Sequence, residues 1–204
     1  MPKILPPSIE NIALTAQALI GGATVIFPTE TVYGLGGNAY NDNTVYEIFR
    51  RKGRPADKPL SVCYPDLARA KDDIDGNDIV LALMEKFLPG PVTFVLECRQ
   101  SVRLSSLCLA GGHTVGIRIP ANKIALSLLK LLPFPLATTS ANKSGKPSPI
   151  TAQQAAKELH DEKNLIILDG GECAVGVEST VVDLIERRVL RSGAIPAEQI
   201  EALL

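Results

Sequence analysis

Apolar positions along the chain fall into two kinds of run. From Ile9 they recur with helical spacing at Ile12, Ala13, Ala16, Leu19 and Ile20, with Ser8 in front as a cap and Gly21-Gly22 behind as a left-handed stop, which predicts a first helix. The second kind is short, continuous and rich in β-branched residues: ATVIF (23 to 27), LSVCY (60 to 64), VTFVLEC (92 to 98), TVGIRI (114 to 119), LATTS (136 to 140), LIIL (165 to 168) and STVVDLI (179 to 185). These read as about seven strands. Helical spacing returns at 43 to 52, 78 to 88, 122 to 131 and 151 to 160, and a last helix over 196 to 203 opens on Pro196.

Such alternation predicts an α/β fold. The link from STVVDLI to RVLR, across Glu186-Arg187, is too short for a crossover helix and makes an antiparallel hairpin. The sheet is therefore expected to be mixed, and a doubly wound, all-parallel arrangement is disfavoured. Glycine and proline cluster at 89 to 91, 145 to 149 and 170 to 176, but each cluster is short and reads as a turn. With 204 residues, 46% hydrophobic and 21% charged, the chain has the apolar surface to order itself, and one domain over 1 to 204 is expected.

Charge narrows the function. Lys plus Arg total 21 against 22 Asp plus Glu, so any affinity for nucleic acid must come from a local patch. Cys63, Cys98, Cys108 and Cys173 are widely spaced, with only His113 and His160 to complete a metal site, which disfavours both a disulfide framework and a structural zinc. The start, MPKILPPSIENIAL, carries no basic region followed by an apolar run, and no stretch approaches the ~20 apolar residues of a spanning helix. A reduced, cytoplasmic protein without membrane association is expected.

Three polar stretches follow strands. PTETVYGLGGNAY (28 to 40) brings two threonine hydroxyls, a glutamate and Gly34, Gly36 and Gly37 to a strand end, which suits a polar ligand or simply makes a glycine turn. It is neither a Walker A loop nor a dinucleotide fingerprint. RRKGRPADKP (50 to 59) sets Arg50, Arg51, Lys52, Arg54 and Lys58 against a single Asp57. Arg50 and Arg51 are explained by the C-terminal dipole of a helix, whereas a Lys-x-Arg pair entering a proline-fixed loop suits a triphosphate. LATTSANKSGKPSP (136 to 149) ends a strand in Thr138, Thr139, Ser140 and Asn142, followed by Lys143, Ser144, Lys146 and Ser148, donors that ring phosphate or ribose oxygens or make an ordinary turn.

Arg118 and Arg191 sit in strand-like apolar stretches and need anionic partners, either a protein carboxylate or a shared ligand. VESTVVDL adds Glu178, Ser179 and Thr180 at another strand start. Neither a GxSxG elbow nor HExxH occurs, so covalent catalysis is not indicated. Cys63 reads as a small core residue, His113 as a loop residue and His160 as a solvated helix end.

Taken in order, PTETVYGLGGNAY, Lys52-Gly53-Arg54-Pro55 with DKPL, PGPVTFVL, TVGIRIP, Ser140-Ala141-Asn142 with SGKPSP, and GVESTVVDL with VLRSGAI resemble the YrdC-like threonylcarbamoyl-adenylate synthases over about residues 10 to 195. The resemblance implies a twisted mixed sheet with a concave, positively charged cavity, in the short, single-domain form of the family. It implies condensation of L-threonine, bicarbonate or CO2 and ATP to threonylcarbamoyl-AMP and pyrophosphate, for threonylcarbamoyladenosine formation in tRNA by a downstream transferase. Lys52 and Arg54 would be catalytic. They and Lys58, Thr114, Ser140, Asn142, Ser148 and Arg191 would hold ATP, while Thr31, Arg118, Thr138 and Ser179 would hold threonine. Magnesium is expected to travel with ATP, without dedicated metal residues and without a tightly bound cofactor. Two alternatives stand beside this: a module that binds tRNA or double-stranded RNA without turnover, and a carbamoyl-transfer enzyme using carbamoyl phosphate.

Overall fold

A computed structural model describes residues 2–162 and 164–204. Its ten strands are β1 (Lys3–Leu5), β2 (Val25–Phe27), β3 (Gly34–Asn38), β4 (Ser61–Cys63), β5 (Val92–Glu97), β6 (Thr114–Arg118), β7 (Leu136–Ser140), β8 (Ile166–Leu168), β9 (Thr180–Asp183) and β10 (Arg188–Arg191). The helices are α1 (Ile9–Ile20), α2 (Asp42–Lys52), α3 (Leu67–Ala70), α4 (Asp78–Glu85), α5 (Lys123–Lys130), α6 (Ala152–Glu158) and α7 (Ala197–Glu201). The strands form one sheet in the order β1-β8-β2-β3-β7-β4-β6-β5-β9-β10. Pairings β1–β8, β2–β8, β4–β6 and β5–β9 are parallel and the others antiparallel, so the sheet is mixed.

Local rules account for the ends of these elements. The Ser8 hydroxyl accepts the Asn11 amide at 3.2 Å to open α1, and the left-handed residue after α1 is Gly22, with φ +87°. Asn41, Asn77 and Asn122 cap α2, α4 and α5 in the same way. Arg187 takes φ +51° in the tight turn between β9 and β10.

The strand count exceeds the seven of the sequence reading. β1 is three residues long, too short to show alternation, and β10 is the partner of the expected hairpin. The remaining addition, β3, is GLGGN, read above as a loop because glycine is poor in strands. Close approach explains the glycines. A Cβ on Gly36 would lie 2.9 Å from the Phe27 ring and 3.1 Å from Thr138 Cγ2, and one on Gly37 would collide with Thr44 of α2.

Because side chains alternate along each strand, the sheet has two distinct faces. Ile26, Leu35, Val62, Phe94, Ile117 and Val182 point to the side where α2, α4, α6 and α7 pack, forming the larger core. On the other side Val25, Phe27, Cys63, Leu136 and Leu168 meet α1 and α5, forming a second, smaller core. That second layer covers only part of its face. Among the described residues no helix is long and apolar enough to cross a membrane.

Candidate functional site

Where α1 and α5 stop, the sheet face is open. The register places Ser61 opposite both Thr138 and Gly116, and Cys63 opposite Arg118, so these residues share the face that carries Phe27 further along the sheet. Thr93, Ser179 and Arg191 continue the row on β5, before β9 and on β10. They surround a cavity of about 150 Å³ whose walls include Arg54, Arg118, Arg191, Ser140, Glu178 and Ser179. Hydroxyls and guanidinium groups predominate in its lining, beside Phe27, Val32, Pro59 and Cys63.

Four cations converge here, in three different states. Lys52, 4% exposed at the end of α2, donates from Nζ to Ser140 O (2.7 Å), Ser140 Oγ (3.2 Å), Asn142 O and Asn142 Oδ1 (both 2.9 Å). Its three protons are thus taken up by the Ser140-Asn142 loop, and burial together with Arg54 pulls its pKa down to about 8. Gly53, at φ +62°, turns the chain out of α2 and brings Arg54 to the cavity. Among the described residues Arg54 donates only to the carbonyls of Lys58 (3.1 Å) and Pro59 (2.8 Å), and Arg191 to Ser179 O (2.7 Å) and Oγ (3.3 Å). Burial lowers the pKa of both, and their mutual proximity lowers that of Arg54 further.

Arg118, 9% exposed, has a carboxylate partner in the protein. Its Nη2 donates to Glu30 Oε1 at 3.0 Å and to Thr31 Oγ1 at 2.6 Å, and the Thr31 hydroxyl lies 2.9 Å from that of Thr29. Arg118 Nε and Glu30 Oε2 are buried without partners among the described residues. Glu178 accepts from Ser148 Oγ at 2.6 Å, which, with Arg191 and Lys52 nearby, holds its carboxyl below the usual range.

The twelve residues expected to act together divide into three groups. Arg54, Arg118, Arg191, Thr138, Ser140 and Ser179 line the cavity. Lys52, Thr31 and Ser148 stand one hydrogen bond behind its walls, and Asn142 stands one further back, bonded to Lys52. Lys58 is exposed, and Thr114 sits two positions before Gly116 on β6; both lie outside the walls. Lys143 faces away, with Nζ 2.9 Å from Arg51 O. Arg50 and Arg51, read as dipole partners, lie in the last turn of α2 and also form ion pairs with Glu47 and Glu162.

Some wall residues were not singled out from sequence. Thr93 and Ser61 are single hydroxyls inside apolar strands, and Thr93 Oγ1 lies 2.8 Å from Ser179 Oγ. A hydroxyl on an otherwise apolar strand was the signal available. Cys63, assigned to the core, is both buried in the second core and part of the cavity floor, with Sγ 3.3 Å from Thr138 Oγ1; burial raises its thiol pKa. Thr180 turns to the opposite face and donates to Ile195 O at 2.6 Å.

Comparison with known proteins adds an independent line. Residues 17–193 match the family model Sua5/YciO/YrdC, described as "Telomere recombination". The threonylcarbamoyl-AMP synthase of Pyrococcus abyssi is 43% identical over 199 residues, covering 95% of this chain and 57% of that protein. The synthase of Bacillus subtilis is 43% identical over 198 residues, covering 95% of this chain and 56% of its own length. A crystal structure of P. abyssi Sua5 complexed with L-threonine superposes with TM-score 0.92 at 40% identity, covering 100% of this chain and 61% of that one. The chain thus spans a little over half the length of these relatives.

Proposed function

Because this chain belongs to the Sua5/YciO/YrdC family, we propose that its open cavity is the active site of a threonylcarbamoyl-AMP synthase, which joins L-threonine, bicarbonate or CO2 and ATP. The observation that carries this reading is the pair Arg54 and Arg191, cavity-lining guanidinium groups whose hydrogen bonds go to neutral oxygens, so that their charge is left for an anionic ligand. The names of the relatives and the threonine bound to P. abyssi Sua5 support it.

In this mechanism the threonine amine adds to the carbon of CO2, forming a carbamate and releasing a proton to solvent. A carbamate oxygen then attacks the α-phosphorus; the new P–O bond forms as the α–β anhydride breaks, and pyrophosphate leaves with the electron pair. The groups around the cavity suit positioning and charge neutralisation rather than covalent attack. Arg118 takes the threonine carboxylate, with Thr31, Thr138 and Ser179 around it. Arg54 and Arg191 take phosphates, while Lys52 holds the Ser140-Asn142 loop and adds its charge from behind. Ser148, Lys58 and Thr114 lie outside the cavity walls and would meet the nucleotide only where it extends beyond them. Among the described residues Glu178 is the one carboxylate in the walls, and no cluster of three His, Cys, Asp or Glu side chains forms. Magnesium arriving with ATP would draw its ligands mainly from ATP oxygens and water, with Glu178 the wall carboxylate available to it.

Measuring pyrophosphate release with and without L-threonine and labelled bicarbonate tests the reading. Release that needs both, with label in an adenylate, is expected. Release driven by carbamoyl phosphate and indifferent to threonine would overturn it, as would salt-dependent tRNA binding with no release at all.

A further inference from the structure

Glu162 follows α6 and lies outside the cavity walls, yet it is only 6% exposed and its carboxylate gathers three cations from two separate segments. Arg50 Nη2 donates to Oε2 at 2.7 Å, Arg51 Nη1 lies 3.4 Å from the same oxygen, and Lys143 Nζ lies 3.3 Å from Oε1. The segments are also joined directly: Lys143 Nζ donates to Arg51 O at 2.9 Å, and the Ser144 amide donates to Lys52 O at 2.8 Å. Glu47 holds Arg50 Nε at 2.6 Å and Arg51 Nε at 2.8 Å. A carboxylate buried to this degree is costly to desolvate, and none of its partners lines the cavity.

What the network joins gives it a purpose. One segment is the end of α2, which carries Lys52 and leads into Arg54; the other is the end of β7 with the loop after it, which delivers Ser140 and Asn142. Lys52 bolts these two together from the cavity side through its four acceptors. We propose that Glu162 is a positioning residue that fastens the same two segments from outside the cavity, so that the cationic turn and the Ser140-Asn142 loop are in place before a triphosphate arrives. The proposal rests on the nucleotide reading of the cavity given above.

Without the Glu162 charge, Arg50, Arg51 and Lys143 become like-charged neighbours, and the ordering of the loop is deferred to the binding step, which weakens binding. The expected sign is diagnostic. Removing a negative charge would, through its field alone, favour an anionic ligand, so weaker ATP binding is a result that only loss of positioning gives. Arg118, Thr138 and Ser179 make no contact with the network among the described residues, so threonine binding should not change. Arg50 and Arg51 keep Glu47, and Lys143 keeps Asp161 at 3.5 Å, so the variant retains partners for folding.

The test is Glu162→Gln, which keeps the shape and removes the charge, with calorimetric titration of Mg-ATP and of L-threonine and hydrogen exchange at the Ser144 amide. The expected result is ATP affinity reduced about fivefold or more, L-threonine affinity within about twofold, and Ser144 exchange about tenfold faster against an unchanged β5–β6 ladder. Lys143→Met should give the same ATP loss, and the double variant no more than either single change. Unchanged ATP affinity, unchanged Ser144 exchange, or tighter ATP binding would each overturn the proposal. If the parent protein binds no ATP, the functional reading fails separately; Ser144 exchange then decides the clamp, upheld if faster in the variant and overturned if unchanged.

Discussion

The two halves of one sheet face are built on different strands of one sheet and end differently. At the β8–β2 end, Val25, Leu136 and Leu168 are covered by α1 and α5 and belong to a buried core. Toward β5 and β10 the same face carries Ser61, Thr93, Ser179, Arg118 and Arg191, and among the described residues no helix covers it. A concave site here is thus a sheet with part of one helix layer left off, and the side chains change from apolar to polar where the cover stops. Phe27 and Cys63 stand at the border, in core and cavity at once.

Substitutions on the two sides should separate cleanly. The largest effect is expected on the covered half, where Leu128→Ala removes a fully buried side chain of α5 and costs about 3 kcal/mol in denaturant unfolding, with L-threonine affinity unchanged. A comparable change in affinity would mean that the halves are not independent. Next is Lys52→Met on the open side, which leaves four acceptors without their donor and lowers turnover about tenfold or more. Near-normal turnover in this variant would contradict the site.

Lys52 also sets a pH signature. Its pKa of about 8 in the folded protein lies below the ordinary 10.5, so between these values the unfolded chain binds more protons and stability rises with pH relative to Lys52→Met. ATP affinity moves the other way, falling above about pH 8 as the cation is lost. Paired unfolding and binding titrations check both signs.

Arg118→Ala should raise the threonine KM about tenfold and leave the ATP KM near its original value, measured as a ratio because Glu30 also loses its cation. Equal shifts would undercut the assignment of Arg118 to the amino acid. The smallest effect is expected from Thr93→Val, which removes one hydroxyl 2.8 Å from Ser179 Oγ and should weaken threonine about threefold.

Much of this arrangement could be read from sequence, and the boundary is physical. Ser8 and the spacing of Ile12, Ala16 and Leu19 specify α1 locally, and VIF and VTFVLE declare strands by their branched side chains. β3 escaped because its glycines answer to Phe27 and Thr44, contacts that exist only once β2 and α2 have packed. α3, four residues long, gave no periodic signal. At the site, the Lys-x-Arg loop announced itself by charge density. That Arg118 meets Glu30 and that Lys52 meets Ser140 and Asn142 depends on the strand order β3-β7-β4-β6, and the partners lie 88 to 90 residues apart in the chain. Side-chain chemistry was visible in the sequence, whereas pairing required the register.

The measurement that tests the central claim most directly is a crystal structure of the protein with L-threonine and a non-hydrolysable ATP analogue. The account predicts the threonine carboxylate within hydrogen-bond distance of Arg118 and the phosphates against Arg54 and Arg191, all on the uncovered half of the sheet face. Ligands seated elsewhere, with Arg54 and Arg191 still bonded only to backbone and hydroxyl oxygens, would contradict it.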